Sequence, residues 1–355
     1  MDWTMRNIGV GVLGCGNIAD IYLQNLSEMF DNVHVTGVYD RHPEKVQARA
    51  EKYRVRAYGS LAEMLEDPEA EIILNITPPL SHFETVRQCL RAGKHVYVEK
   101  PIALTFREGL ELRQEAREKN LFLCAAPDTF LGAAYQTAKD LIDAGEVGRI
   151  VSAATFDLNA GMEFWHPSPV FFYKPGGGPM FDRGPYNLTA LISLIGPADG
   201  VFGMTGKAFE QRTITTQPLY GQIIDVEVPT HVAGLIHFRN GCVCTIIESF
   251  DAQQTVLPHM ELQGTGGTMI LPDPNTFGGE IQICYRRKEG FKSIPLTHGY
   301  AENSRGLGVS DLARCLCEGG VPKTESAMAV HVTEIMEALH TSWEKKEYIP
   351  LRGMT

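Results

Sequence analysis

The sequence predicts an α/β chain in two parts, a doubly wound parallel sheet over residues 1–126 and an α+β domain with a large open, mostly antiparallel sheet over 127–355. Apolar runs alternate with helical stretches through the first 125 residues, the rhythm of parallel strands joined by right-handed crossovers. A glycine turn follows the first of those runs. From about Gly148 the texture changes to closely spaced strands. A chain of 355 residues also exceeds what one hydrophobic core usually fills.

Asn7–Leu13 is a short apolar run of the kind a fully buried strand shows, and a helical pattern follows through Ala19, Leu23, Leu26 and Phe30. Val33–Tyr39 is the second strand, closed by Asp40. Pro43–Tyr53 is helical, with proline in the first turn where its missing N–H costs nothing. Glu71–Ile76 is a buried strand, and Leu80–Ala92 a helix stopped by Gly93. His95–Val98, a helix over Thr105–Lys119 and a strand over Leu121–Cys124 complete the first part. In the second part, Ile150–Leu158, Thr230–Phe238, Cys242–Asp251, His259–Gly264 and Ile281–Tyr285 read as strands. Arg239-Asn240-Gly241 is a hairpin signal between two of them. Both alternating sets around His231 are largely apolar, so the second face of that sheet is expected to be covered by helices or by another copy of the chain. Helices over Leu307–Cys317 and Glu325–Trp343 end the sequence.

The formal net charge is −11, with no Lys/Arg-rich run, which argues against nucleic acid and anionic lipid as partners. No apolar stretch reaches the length of a membrane span, and the first residues lack a signal-peptide layout. Two C-x-C pairs, Cys242/Cys244 and Cys315/Cys317, lack the spacing and further ligands of a zinc site, so no metal is expected. The eight cysteines lie mostly in apolar runs and read as thiols of a soluble, cytoplasmic protein.

Gly14-Cys15-Gly16-Asn17-Ile18-Ala19 is a G-x-G-x-x-A turn between a strand and a helix. Gly14 permits the tight turn, Gly16 lets backbone approach a pyrophosphate, and Ala19 allows close helix–strand packing. Asn17 and Ile18 open the helix whose free N–H groups face the phosphates. Asp40 ends the next strand 21 residues after Ala19, where a carboxylate takes the ribose hydroxyls. It repels a 2′-phosphate and favours NAD over NADP; Arg41 beside it could instead hold that phosphate or stack on adenine.

The strand at His95 runs directly into Glu99-Lys100-Pro101, preceded by Gly93-Lys94-His95-Val96 and, upstream, by Asn75-x-Thr77-Pro78 with His82. Lys100 thus lies just past the carboxyl end of a parallel strand, where open α/β sheets hold ligands, and a cis bond to Pro101 is open to it. This layout resembles the Gfo/Idh/MocA family of oxidoreductases over essentially the whole chain. The resemblance implies a Rossmann domain followed by an open α/β domain that carries substrate and often mediates oligomerisation. It adds Thr77, Pro78, His82, Glu99 and Lys100 to the cofactor side, and implies that the lysine touches the reacting hydroxyl while the glutamate lies near the nicotinamide-side ribose.

Pro175-Gly176-Gly177-Gly178-Pro179 leads into Asp182-Arg183-Gly184-Pro185-Tyr186. If Asp182 opens the following helix, it and Tyr186 lie one turn apart on one side. The family pattern is D-x-G-x-H, so Tyr186 stands at the histidine position, a departure that glucose–fructose oxidoreductase-like and dihydrodiol dehydrogenase-like members share. The expected catalytic group is Lys100, Asp182 and Tyr186. Lys100 and Tyr186 hold a carbinol, Tyr186 or a Lys–Tyr pair takes its proton as hydride leaves, and Asp182 orients the lysine or a further hydroxyl. Trp165 and His166, in an aromatic loop just before the glycines, suit the C–H faces and hydroxyls of a sugar. Lys100, Asp182 and Tyr186 complete that substrate set.

The function that follows is an NAD-dependent oxidoreductase acting on a secondary alcohol of a sugar, glycoside or cyclitol, as a homo-oligomer of two or four copies. Two other readings share the motifs. One is an NAD-dependent glycosidase that oxidises C3 transiently, eliminates the aglycone and needs a further base such as His166. The other is a dinucleotide-binding regulator without catalysis.

Overall fold

The computed structural model describes residues 6–285 and 288–354. The chain divides into two compact units, Met1–Leu131 with Asn303–Val330 and Gly132–Glu302 with His331–Thr355. The first unit thus runs on past the 126/127 division that the sequence suggests, to Leu131, and takes in residues 303–330. Long-range contacts invisible to local pattern explain this. The Asn25 side chain donates to the carbonyls of Asn303 and Arg305, Ala125 N–H donates to Thr324 O, and Asp128 accepts from Gly306 and Gly308.

In the first unit six parallel strands lie in the order β3-β2-β1-β4-β5-β6: β1 (Ile8–Leu13), β2 (Val33–Tyr39), β3 (Arg56–Ala57), β4 (Ile72–Asn75), β5 (His95–Val98) and β6 (Leu123–Ala125). All six residues of β1 are buried, as an apolar central strand between two helical layers must be. The connecting helices are α1 (Ala19–Glu28), α2 (Pro43–Tyr53), α3 (Leu61–Glu66), α4 (His82–Arg91) and α5 (Phe106–Glu118). α2 starts at its proline and stops at Arg54 in the left-handed conformation. Thr105 and Glu108 form a reciprocal capping box that opens α5. Ile73, Val86, Val96, Val98, Leu112 and Leu123 pack into one core between sheet and helices. The order of strands reverses between β1 and β4, and their carboxyl ends lead to Gly14 and Thr77. That is the place where an open sheet of this kind binds a ligand.

The second unit begins with α6 (Ala133–Asp143), which the sequence reading passed over. Its main sheet has nine strands in the order β16-β15-β14-β13-β7-β12-β11-β8-β17. These are β7 (Ile150–Leu158), β8 (Ala198–Gly206), β11 (His231–Phe238), β12 (Val243–Ser249), β13 (Met260–Gly264), β14 (Thr268–Leu271), β15 (Ile281–Cys284), β16 (Lys292–Ile294) and β17 (Ile349–Pro350). Only β7 and β12 pair in parallel; the other neighbours are antiparallel. A separate hairpin is made by β9 (Gln211–Thr213) and β10 (Ile223–Asp225). β11 and β12 are joined through Arg239-Asn240-Gly241, with Gly241 at φ +86°, as the hairpin signal requires. One face of the sheet is buried under helices α7 (Pro179–Asp182) and α8 (Gly184–Ile195). On the other, Phe202, Met204 and Leu235 remain 52%, 61% and 47% exposed. α9 (Leu307–Glu318) belongs to the first unit, and α10 (Ser326–Lys345) follows it.

Candidate active site

The first unit carries the glycine turn of a dinucleotide-binding fold. Gly14 has φ +113°, and a Cβ there would sit 2.8 Å from the carbonyl oxygen of Ile76, so the turn demands glycine. At Gly16 a Cβ would meet nothing within 4 Å, and the backbone faces open space where a pyrophosphate would lie. Ile18 caps α1 without a side-chain hydrogen bond, and Asn17 beside it is exposed. The first N–H groups of α1 are therefore left without a side-chain cap, as a phosphate-binding turn requires.

Asp40 stands at the end of β2 and is tied to the loop itself. Its Oδ2 accepts the Cys15 N–H at 2.8 Å and its Oδ1 the His42 N–H at 3.0 Å. Each oxygen keeps a lone pair for a ribose hydroxyl. Arg41 is exposed, its Nε 3.3 Å from the His42 ring. Thr77 donates its hydroxyl to Asn75 Oδ1 at 2.7 Å, and Pro78 beside it is exposed.

His82 is placed differently from a cofactor ligand. It is wholly buried, with Nδ1 2.7 Å from Pro101 O and Nε2 2.7 Å from Thr77 O. Carbonyls only accept, so a doubly protonated ring alone would satisfy both; burial pulls its pKa down and the two carbonyls oppose that shift. The imidazole thus spans the two loops that carry Thr77 and Lys100. Glu99 is also engaged: Oε1 accepts the Tyr22 hydroxyl at 2.7 Å and Oε2 the Lys100 N–H at 3.0 Å. Burial and the neighbouring Glu99 raise the Tyr22 pKa well above its ordinary value, keeping it a neutral donor. The Lys100–Pro101 bond is cis. Asp128 is buried to 2% exposure, and its Oδ2 accepts the N–H groups of Gly306 and Gly308, each at 3.0 Å.

The second unit carries the remaining candidate residues. Gly176 and Gly178 have φ +87° and +89°, and the chain turns there into α7. Asp182 ends α7 and does not open α8; Arg183 stands between the two helices. The Asp182 backbone N–H is spent on Gly178 O at 3.0 Å. Tyr186, in the first turn of α8, is 9% exposed.

Arg183, to which the sequence reading gave no role, is the hub of this cluster. It donates to Asp157 and to both oxygens of Asp273 at 3.2 Å, and its guanidinium carbon lies 5.6 Å from the centre of the Tyr186 ring. That distance suits a cation–π contact. Burial opposes its charge, yet Asp157, Asp273 and Asp182 hold its pKa above the ordinary value. Behind it, Asn187 donates to Glu248 Oε1 at 2.7 Å and accepts from the Thr155 hydroxyl at 2.7 Å. Burial, with Asp157 alongside on the neighbouring strand, pushes the Glu248 pKa well above its ordinary value, which favours the protonated acid. The position of Arg183 inside D-x-G-x-Y was the available signal. Its partners, 26 and 90 residues away, were not readable from sequence.

Trp165 is 57% exposed and His166 partly buried. Their loop is anchored by Arg212, whose side chain is 6% exposed. This guanidinium donates to Glu163 at 2.7 Å, to the carbonyls of Ala160 and Phe250 at 2.9 Å each, and to Asp251. Tyr173 donates to Glu163 and accepts the Met162 N–H at 3.0 Å. His166 N–H in turn donates to Met162 O at 2.9 Å.

The comparisons agree with this architecture. Residues 8–126 match the NAD-binding Rossmann fold of an oxidoreductase family, and residues 135–270 match the GFO/IDH/MocA C-terminal domain. An uncharacterized oxidoreductase of Schizosaccharomyces pombe is 32% identical over 59% of this chain and 57% of its own length. Myo-inositol 2-dehydrogenase of Thermotoga maritima is 27% identical over 74% of both chains. A levoglucosan dehydrogenase solved with NADH and L-sorbose superposes with a TM-score of 0.85 at 20% identity, covering 98% of this chain and 100% of that one, a likeness of fold. The match to the first curated relative thus spans less than two thirds of that protein's length. The glycine turn, the acidic end of β2 and the two matched regions together place the chain in the Gfo/Idh/MocA oxidoreductase family, with an NAD-binding Rossmann domain as its first unit.

Proposed function

We propose that this chain is an NAD-dependent dehydrogenase that oxidises or reduces a secondary alcohol of a sugar, glycoside or cyclitol. The observation that carries the reading is the D-x-G-x-Y segment, whose tyrosine ring lies beneath a guanidinium locked by two aspartates. Family membership adds to it, as does similarity to a myo-inositol dehydrogenase. When bound, NAD supplies the hydride acceptor or donor. Gly14, Gly16, Asn17 and Ile18 hold its pyrophosphate, Asp40 and Arg41 its adenosine end, and Thr77, Pro78 and Glu99 its nicotinamide end. His82 acts there through the loops it joins.

In the oxidation direction, Lys100 and Tyr186 bind the reacting hydroxyl. The Lys100 ammonium donates to the carbinol oxygen and stabilises the charge that grows on it, while Tyr186, acting as the phenolate, takes the hydroxyl proton and becomes the phenol as hydride leaves the carbon. Asp182 accepts a hydrogen bond from a further hydroxyl or orients the lysine. Trp165 offers its exposed face to the C–H face of the ring. Arg183 and the hydrogen-bonded Glu248–Asn187 pair fix the first turn of α8 and so the direction of the phenol.

Elimination of a glycosidic group would need a further base. His166, the candidate for it, accepts the Ser168 N–H on Nδ1 at 3.0 Å, so in the neutral ring Nε2 already carries a proton. That favours net oxidation over redox-neutral cleavage. The half-exposed Phe202, Met204 and Leu235 support a homo-oligomer in which a second copy covers the outer face of the nine-stranded sheet. No helix among the described residues is long and apolar enough to cross a membrane, and none of the eight cysteines is in a disulfide. Both fit action in the cytoplasm.

The test is mass spectrometry of the protein with NAD and a library of glycosides and inositols. Products lighter by two hydrogens, with NADH formed in equal amount, support the proposal. Release of aglycone without net NADH would replace it with the glycosidase reading. A full cofactor site with no product of either kind would favour the regulator.

A further inference from the structure

His166 has a property that the proposed reaction leaves unused. Its Nδ1 accepts the Ser168 backbone N–H, and an accepting nitrogen carries no proton. Burial lowers the pKa of the ring, against the pull of Asp182, which favours the neutral form. A neutral imidazole with Nδ1 bare is a donor at Nε2, and that nitrogen has no hydrogen-bond partner among the described residues.

The ring is held by its surroundings. Trp165, Phe171 and Phe172 meet the imidazole edge-on, with ring centroids 5.4, 5.9 and 5.1 Å away. The backbone is held on both sides, by Met162 O and by the Thr216 hydroxyl, which donates to His166 O at 2.9 Å. Beneath it the Arg212 cluster pins the loop. Little conformational freedom remains to be lost when a ligand binds.

We propose that His166 is a specificity-determining residue, a tautomer-locked donor whose Nε2–H, with the Asp182 carboxylate of the same unit, reads one substrate hydroxyl beside the reacting carbinol. A hydroxyl can accept from Nε2–H and donate to the carboxylate at once. An ether or carbonyl oxygen can only accept, and an ammonium can only donate. The inference rests on the dehydrogenase reading and narrows it to polyols, because a site built around a paired hydroxyl rejects the analogue that lacks one.

The experiment has two arms. In the first, ¹⁵N NMR of the full chain labelled at histidine, with the His166 signals assigned through His166→Asn, should show Nε2 protonated and Nδ1 bare at neutral pH. A proton on Nδ1 overturns the proposal. In the second, kcat/KM is measured with NAD on methyl glucopyranoside and its single-deoxy analogues. His166→Asn, which keeps an acceptor for Ser168 and loses the distal donor, should lose roughly tenfold on the parent sugar. It should match the wild type on one deoxy analogue, and His166→Gln, which places an amide N–H near Nε2, should recover part of the loss. An even loss across an active series overturns the donor role and leaves the dehydrogenase reading intact. Turnover of simple secondary alcohols but of no polyol would overturn the hydroxyl reading too, whereas an NAD-loaded protein that oxidises nothing would fail the dehydrogenase reading itself.

Discussion

Asp128 gives the most quantitative prediction. Its carboxyl is buried where β6 ends, and burial raises its pKa to about 6 from an ordinary 3.8, even though Gly306 and Gly308 both donate to it. The folded chain therefore holds this proton more tightly than the unfolded one. Stability from this group is full below about pH 4, falls as pH rises through the interval up to about 6, and is level above it. A gap of about 2 pKa units corresponds to roughly 3 kcal/mol. Asp128→Asn removes the titration and keeps an oxygen for the two N–H groups. Urea unfolding of both proteins from pH 4 to pH 7.5, followed by a probe in the first unit, should show the variant gaining on the wild type by roughly 2.5 kcal/mol across that range. Other titrating groups cancel in the difference. A difference that stays constant with pH, or that shrinks as pH rises, would refute the assignment of a buried, reluctantly ionised acid.

Two further outcomes are expected. Asp40→Ala should weaken NAD by about 1.5–3 kcal/mol, roughly ten- to a hundredfold in Kd, because charge-assisted hydrogen bonds are lost. The loss for NADP should be smaller, which titration with the two cofactors would show. If a second copy covers the exposed sheet face as proposed, Leu235→Asp in its middle should shift the protein to a monomer in sedimentation while leaving NAD binding unchanged.

The strands and helices of the first unit were legible because each is long enough to show its period, and because Thr105, Pro43 and Gly93 punctuate them. α3 and β3 escaped notice because a six-residue helix and two exposed residues carry no periodic signal. The return of residues 303–330 to the first unit rests on Asn25, Asp128 and Thr324, whose partners lie far away in sequence. At the site, Gly14 and Asp40 were readable because phosphate and ribose recognition dictate their spacing. Tyr22 and Arg183 were not, since each works through a carboxylate that only the folded chain brings near. His82 was placed with the cofactor by its motif. Its ring turned out to be enclosed between two carbonyls, which no spacing rule reveals.

The most direct test of the account follows a single hydrogen. A polyol deuterated at its ring carbinols, mixed with the NAD-loaded protein, should give deuterated NADH and a keto product in one turnover. Lys100→Met and Tyr186→Phe should each slow that transfer by about 10²–10⁴-fold while still binding NADH. Deuterium that never reaches the nicotinamide, or transfer that survives both substitutions at full rate, would contradict the claim that this lysine and this phenol act together on one carbinol.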